Sequence, residues 1–301
     1  MKRNLRAAGL ASVLAIALSV AGCSEQNDAV HEEGMAEGEN HAAHEEAAHE
    51  DATHDEATFD GGNYEGEDHA AHYAEHHADD IAAAINAEDR ADAERARDEF
   101  RLPEITLAFS QIEPGSRVMD VGSGAGYYTM LISGLVGSEG HVTGQSPQIW
   151  VDRYGADWPE VQGAKMEARD NIDFVVAEFD NLGVTAGSLD AITFMLTYHD
   201  AALLPIDRAV MNQSFYDALR PGGLLLISDH VAPDHTTPEQ IDAVHRIDAG
   251  FVQAEIEAAG FELIATSDTL ANADDDHTLN IYHPDIRGYT DRFLLLFQKP
   301  E

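Results

Sequence analysis

Val118-Met119-Asp120-Val121-Gly122-Ser123-Gly124-Ala125-Gly126-Tyr127-Tyr128 is the stretch on which the fold turns. It begins as a short apolar β-type run and ends in three alternating glycines that lead into a helix-length segment. Glycines at a strand-to-helix turn let a ligand approach the backbone and leave helix-start N–H groups free to meet it. The dinucleotide fingerprint would require Gly or Ala at 127, where Tyr127 stands.

Working outward, β-type runs at Arg117–Val121, His141–Gly144, Asp173–Ala177, Ala191–Leu196 and Leu224–Ser228 are separated by helix-length segments. Strands alternating with helices predict an α/β fold with a doubly wound, mostly parallel sheet. Upstream, Ile81 to Arg101 is rich in helix-compatible Ala, Glu, Asp and Arg, and Pro103 is expected to stop it. Downstream, apolar residues at 241, 244, 247, 251, 252 and 256 predict one helix over 241–259, closed by Gly260. Two last runs, Glu262–Ser267 and Arg292–Gln298, predict a terminal β-hairpin with a long insertion, making seven strands over a domain of residues 81–301.

A loop of the form Asp-x-Gly-x-Gly-x-Gly resembles motif I of class I S-adenosylmethionine-dependent methyltransferases, and further motifs follow in that family's order. Asp173 to Leu182 resembles its third strand and adenine-contacting turn, and Leu189-Asp190-Ala191-Ile192 resembles the start of its fourth. Ala218-Leu219-Arg220-Pro221-Gly222-Gly223-Leu224-Leu225 resembles the turn into its fifth, and Glu257-Ala258-Ala259-Gly260-Phe261 the end of its late helix. The set Arg97-Asp98…Arg101-x-Pro103-Glu104, Gly126-Tyr127-Tyr128-Thr129, Tyr198-His199-Asp200, Asp229-His230, His245-Arg246-Ile247-Asp248 and Gly288–Phe293 resembles a group of exported bacterial proteins of this family. The resemblance implies a Rossmann-like methyltransferase fold and S-adenosyl-L-methionine as cofactor. It implies cofactor contacts at Asp120, Gly122, Ser123, Gly124, Gly126, Gln145, Glu178 and Phe179. Gln145 falls where the family usually has the acid that holds both ribose hydroxyls, and a carboxamide makes those bonds without charge. Glu178 falls where Asp is common near the adenine amino group.

Ligands of a doubly wound sheet sit at the carboxyl ends of its strands. Tyr198, His199 and Asp200 follow the fourth strand, and Asp229, His230 and His235 the fifth. Tyr198, His199 and His230 are therefore the candidate catalytic residues, placed to take a proton from an acceptor as the methyl group moves. His199 and His230 also suit a structural role lining the pocket, or a metal held together with a nearby acid. His245, beside Arg246 and Asp248, is expected in a salt-bridged network. His277 and His283 lie in an acidic insertion, as part of a lid or as solvated loop.

Lys2, Arg3 and Arg6 precede an apolar run from Leu10 to Val20, the pattern of an export signal over residues 1–22. Val20-Ala21-Gly22-Cys23 resembles the lipobox of bacterial lipoproteins, which implies cleavage before Cys23 and its acylation. Ser24 in place of the Asp that retains lipoproteins in the inner membrane points to the periplasmic face of the outer membrane. From Ser24 to about Asp80 runs a tether with no Lys or Arg and nine His, too poor in bulky apolar residues to fold alone. His41, His44, His49, His69 and His72, interleaved with carboxylates, make a divalent transition metal the candidate ligand there; a solvated spacer is the alternative.

The 56 acids and 17 Lys and Arg give the chain a formal net charge of −39, which excludes a nucleic-acid phosphate backbone as partner. One cysteine excludes a disulfide framework and a Cys-built metal site, and no apolar run after the signal is long enough to span a membrane. From Ile81 on, 37 acids against 14 basic residues leave −23, as in salt-adapted proteins. The sequence reads as an envelope-anchored methyltransferase with a small-molecule or protein methyl acceptor. The alternatives are a non-catalytic periplasmic binding protein that keeps the fold and has a metal-binding tail, or another chemistry on the same scaffold.

Overall fold

The computed structural model describes residues 66–166, 169–233 and 237–301. The segment expected to be an export signal, Cys23, most of the expected tether and His235 lie outside the described residues.

One sheet organises the molecule. Its strands are β1 (Arg117–Val121), β2 (His141–Ser146), β3 (Ile172–Val176), β4 (Leu189–Met195), β5 (Leu219–His230), β6 (Glu262–Ser267) and β7 (Arg292–Gln298), in the order β3-β2-β1-β4-β5-β7-β6. The first five pair in parallel, and β7 runs antiparallel between β5 and β6. The doubly wound sheet and terminal hairpin expected from the sequence are therefore present. Val118, Met119 and Val121 of the central β1 are all at most 1 % exposed, as a parallel strand covered on both faces requires. One face packs Met119, Ile192, Phe194 and Ile227 with Phe215, Val252 and Ile256. The other packs Val118, Val142, Leu226 and Leu296 with Leu107, Phe109 and Leu131.

The helices that matter for the site are α1 (Gly66–Asn86), α2 (Asp92–Arg95), α3 (Asp98–Arg101), α4 (Pro103–Ser110), α5 (Tyr127–Val136), α6 (Gln148–Tyr154), α7 (Trp158–Met166), α8 (Tyr198–Leu203), α9 (Arg208–Ala218), α10 (Pro238–Val244) and α11 (Ala249–Ala258). Helical structure is present upstream of the expected boundary at Ile81, which falls inside α1. Tyr73, Ile81 and Ala84 are buried, and the Tyr73 hydroxyl donates to the Ile112 carbonyl. The helix is kinked at His77 (φ −117°, ψ 15°), and Tyr73 before the kink with Ile81 and Ala84 after it suffice to dock an otherwise polar segment.

Two expected helices are broken by buried arginines. Residues 81–101 divide into the end of α1, α2 and α3 because Arg90, 3 % exposed, turns inward to the Ile85 carbonyl (2.6 Å) and the Asp98 carboxylate (2.6 and 3.0 Å). Pro103 opens α4 as its first residue, where its missing N–H costs nothing. Residues 241–259 divide into α10 and α11 because Arg246 is fully buried. It donates to the carbonyls of Leu279 and Val231 and, at 2.8 and 3.0 Å, to Asp275. Ile247 then bridges to Val231 in parallel, and His245 adopts the left-handed conformation at φ 54°. Among the described residues, no helix is long and apolar enough to cross a membrane.

Candidate active site

The glycine loop joins β1 to α5 at the carboxyl edge of the sheet. Gly122 packs against Thr197, where an added Cβ would come within 2.7 Å of Thr197 Cγ2. Gly124, at φ +52°, has open space where a Cβ would stand, so the backbone there is bare on its outer side. A single carboxamide sets the loop. Gln145 Oε1 accepts from the Gly122 N–H at 2.9 Å, its Nε2 donates to the Ala177 carbonyl at 2.5 Å, and its own carbonyl accepts from the Ser123 N–H and hydroxyl. Gln145 is fully buried, so it supports the loop from beneath and is not offered to ribose hydroxyls.

Asp120 is likewise committed. Its carboxylate accepts from Thr129 Oγ1 at 2.6 Å and from Thr193 Oγ1 at 2.8 Å, tying β1 to α5 and β4. Burial raises its pKa to about 6, against the opposing effect of these hydroxyls and of Arg101. Glu178 is exposed past the end of β3. Phe179 is buried among Trp150 and Phe194 and belongs to the core.

The tips of β4 and β5 carry the histidines. Leu196, with φ 56°, turns the chain sharply into α8, a conformation that bulky residues adopt only under constraint. Tyr198 then points into the core, not into the pocket. Its hydroxyl donates to Glu255 at 2.8 Å and accepts from Asn212 at 2.9 Å, and burial followed by the Glu255 charge holds its pKa well above the phenol range. It is no proton acceptor, which corrects its assignment among the catalytic residues.

His199 and His230 do come together, their ring centres 5.7 Å apart. Asp229, fully buried, accepts from the His199 ring Nδ1 (2.7 Å), the His199 backbone N–H (2.8 Å) and the His230 N–H (2.7 Å). Burial pushes the His199 pKa down, but the charges of Asp229 and Asp200 outweigh it and raise it to about 9. His230 Nδ1 meets Thr290 Oγ1 at 2.7 Å, and burial together with the positive charges of His199, Arg292, Arg246 and Arg101 holds its pKa well below the usual imidazole value. His245, which we expected in a salt-bridged network, stands in the same cluster: its ring centre is 5.6 Å from that of His199 and its Nδ1 is 3.7 Å from Asp200 Oδ1.

At the start of α5, α3 brings in Arg101. Its guanidinium lies 4.5 Å from the ring centre of Tyr127 and 5.3 Å from that of Tyr128, and its Nε is buried without a hydrogen-bond partner. Arg292 is also buried, donates to the Phe100 carbonyl and leaves its Nε unpaired. Among the described residues no carboxylate forms an ion pair with Arg101 or Arg292, in a chain where acids outnumber Lys and Arg by 56 to 17. The sequence motifs contained both arginines but gave no sign that they would be left unpaired.

His41, His44 and His49 lie outside the described residues, as does the side chain of His69. His72 is exposed and lines a cavity of ≈ 390 Å³ with His76, His77, Glu113, Asp190 and Arg220, at the opposite edge of the sheet from the glycine loop. In the 268–291 insertion, His277 Nε2 meets Asp291 Oδ2 at 2.8 Å.

Residues 112–255 match the family model described as a methyltransferase domain. The chain is 30 % identical over 168 residues to an arsenite methyltransferase of Halobacterium salinarum, covering 52 % of this chain and 40 % of that protein. It is 29 % identical over 136 residues to the ubiquinone/menaquinone biosynthesis C-methyltransferase UbiE of a Marinomonas species, covering 45 % and 51 %. The chain thus spans about half or less of the length of these relatives. The putative methyltransferase solved in complex with the Haloferax volcanii Trm112 activator shares the fold, with a TM-score of 0.51 at 16 % identity over 72 % of this chain and 98 % of that one.

Proposed function

We propose that this chain, which carries a methyltransferase domain of the class I S-adenosylmethionine-dependent type, transfers a methyl group from S-adenosyl-L-methionine to an acceptor held at the tips of β4 and β5. The observation that carries this reading is the pairing of a bare backbone at Gly124 with an Arg101 guanidinium that lies against Tyr127 and Tyr128, just past the loop, and forms no ion pair with a carboxylate among the described residues. Bound there, the cofactor supplies an electrophilic methyl group on sulfur.

The chain's own residues supply position and proton transfer. The Ser123–Gly126 backbone receives the amino-acid portion, and the Arg101 guanidinium pairs with its carboxylate, a charge-assisted contact worth about 1.5–3 kcal/mol. Asp120 and Gln145 act one layer below, holding the loop in shape. On the acceptor side, the His230 ring donates from Nδ1–H to Thr290 Oγ1, leaving Nε2 to take the proton of an acceptor O–H or N–H as the new bond to carbon forms. Asp229 fixes the His199 ring beside it.

The leader and Cys23 support a cell-envelope location for this activity, with an acylated Cys23 as the membrane anchor and the histidine-rich segment as spacer. The acceptor is then a small molecule or protein side chain that reaches the periplasmic face.

Calorimetric titration of S-adenosylmethionine and S-adenosylhomocysteine into the full chain tests the pocket, with Gly124→Val and Arg101→Ala as comparisons. Micromolar binding is expected, abolished by Gly124→Val and weakened roughly 10–100-fold by Arg101→Ala, the equivalent of about 1.4–2.8 kcal/mol. No binding at millimolar cofactor overturns the reading.

A further inference from the structure

We propose that His199, Asp200 and His245 form a binding site for one divalent transition-metal ion, beside the position assigned above to the methyl acceptor. Each residue offers a ligand atom, and the three atoms lie within 4.8 Å of one another. His199 Nε2 is 3.5 Å from Asp200 Oδ1, and His245 Nδ1 is 3.7 Å from the same oxygen. Two imidazoles and one carboxylate form a donor set for Zn, Co, Ni or Fe in the divalent state, and three protein ligands leave coordination positions open.

Three independent features point to a ligand at this place. His199 is 1 % exposed, and its Nε2 makes no hydrogen bond. A buried ring nitrogen that makes no hydrogen bond is costly to hold there, and a metal ion would take the place of the proton it carries. Next, the other ring nitrogen donates to Asp229 Oδ1 at 2.7 Å, and Asp229 also accepts from the His199 and His230 backbone N–H groups. A carboxylate behind an imidazole fixes the tautomer and aims the second nitrogen outward, as metal-bound histidines require. Finally, His245 reaches the cluster only because α10 ends there in a left-handed turn. That turn is held by the Arg246–Asp275 pair and by the Ile247 N–H on the His230 carbonyl. Conformational strain of this kind concentrates where a side chain must be presented.

The side chain of Asp200 is 17 % exposed, which gives an ion a way in from solvent. Tyr282, its ring centre 5.4 Å from that of His245, forms one wall. An open coordination position would bind an acceptor oxygen, nitrogen or sulfur as its conjugate base. That role rests on the methyl-transfer reading; the metal site does not.

The test is a titration of the full chain with Co²⁺, followed by visible absorption. The expected result is a saturable one-equivalent signal with the intense bands of four- or five-coordinate cobalt. Asp200→Asn and His245→Ala should remove those bands, and Asp229→Asn should weaken affinity about 10–100-fold through ring orientation alone. The histidine-rich tail is intact in all of these proteins. Intense bands that persist in the Asp200 and His245 variants would therefore belong to the tail and overturn the proposal, as would their absence from the unaltered chain. Should His245→Ala fail to fold, the isosteric Asp200→Asn, at a partly exposed position, decides the matter. Titrating S-adenosylhomocysteine into the same Asp200→Asn protein reads the cofactor pocket separately, so failure of the metal site and of the methyltransferase reading can be told apart.

Discussion

Replacing Asp120 by Asn should make the protein more stable at neutral pH, and the gain should depend on pH in one direction. Asp120 is 2 % exposed and accepts two threonine hydroxyls, at 2.6 and 2.8 Å. Its folded-state pKa of about 6 lies above the ordinary 3.8, so the folded chain holds a proton that the unfolded chain has already released. Below 3.8 the group is neutral in both states and contributes nothing. As pH rises, ionisation costs the folded state progressively more, and above about 6 the full penalty is in place. The gap between 3.8 and about 6, at 1.36 kcal/mol per pH unit, amounts to about 3 kcal/mol. Asn keeps both contacts, with Oδ1 accepting from one threonine and Nδ2 donating to the other, and it does not ionise. Urea unfolding of both proteins at pH 5.0 and 7.5 provides the assay. The stability difference in favour of Asn should widen by about 1.5 kcal/mol between the two conditions. A difference that stays constant, or that narrows as pH rises, would refute the assignment of a buried, reluctantly ionised carboxylate under the glycine loop.

Other substitutions probe the remaining supports. Asp275→Ala strands the fully buried Arg246 guanidinium and should cost about 3–5 kcal/mol in denaturant unfolding, whereas a surface ion pair would cost less than 1. Tyr198→Phe removes two buried hydrogen bonds, so it should lower stability by about 1–3 kcal/mol while leaving S-adenosylhomocysteine affinity within twofold; a tenfold loss of affinity would return Tyr198 to the site. The net charge of −39 predicts a melting temperature that rises between low and molar NaCl as repulsion is screened, and a flat or falling trend in a thermal scan counts against salt adaptation.

The strands were legible because a parallel sheet writes itself locally. β1, β6 and β7 end where the alternation of apolar runs and turn residues places them, and the glycine turn marks the ligand-bearing edge. What stayed hidden depends on long-range burial of charge. The apolar spacing from Ile241 to Ile256 fits one helix, and nothing local reveals that Arg246 will be swallowed by Asp275 and two carbonyls, breaking the helix and swinging His245 against His199. Tyr198 fails as a candidate for a related reason. Proximity to a strand tip does not say which way a side chain leaves the backbone, and the strained Leu196 turn sends the phenol to Glu255. Gln145 read as a weakened ribose contact, although its geometry shows a brace between three strand ends.

The place of β7 between β5 and β6 bears on when this domain can fold. Residues 262–267 have no strand to pair with until residues 292–298 have been made, and β5 has a bare edge until then. The sheet closes by inserting its latest-synthesised strand into an interior position, a step of large sequence separation and correspondingly slow closure. A chain synthesised nearly to residue 298 before its sheet can lock keeps β5 and β6 without their shared partner for most of its synthesis. Stability of the C-terminal hairpin is therefore a condition for closing the whole sheet, not a late addition to a finished one.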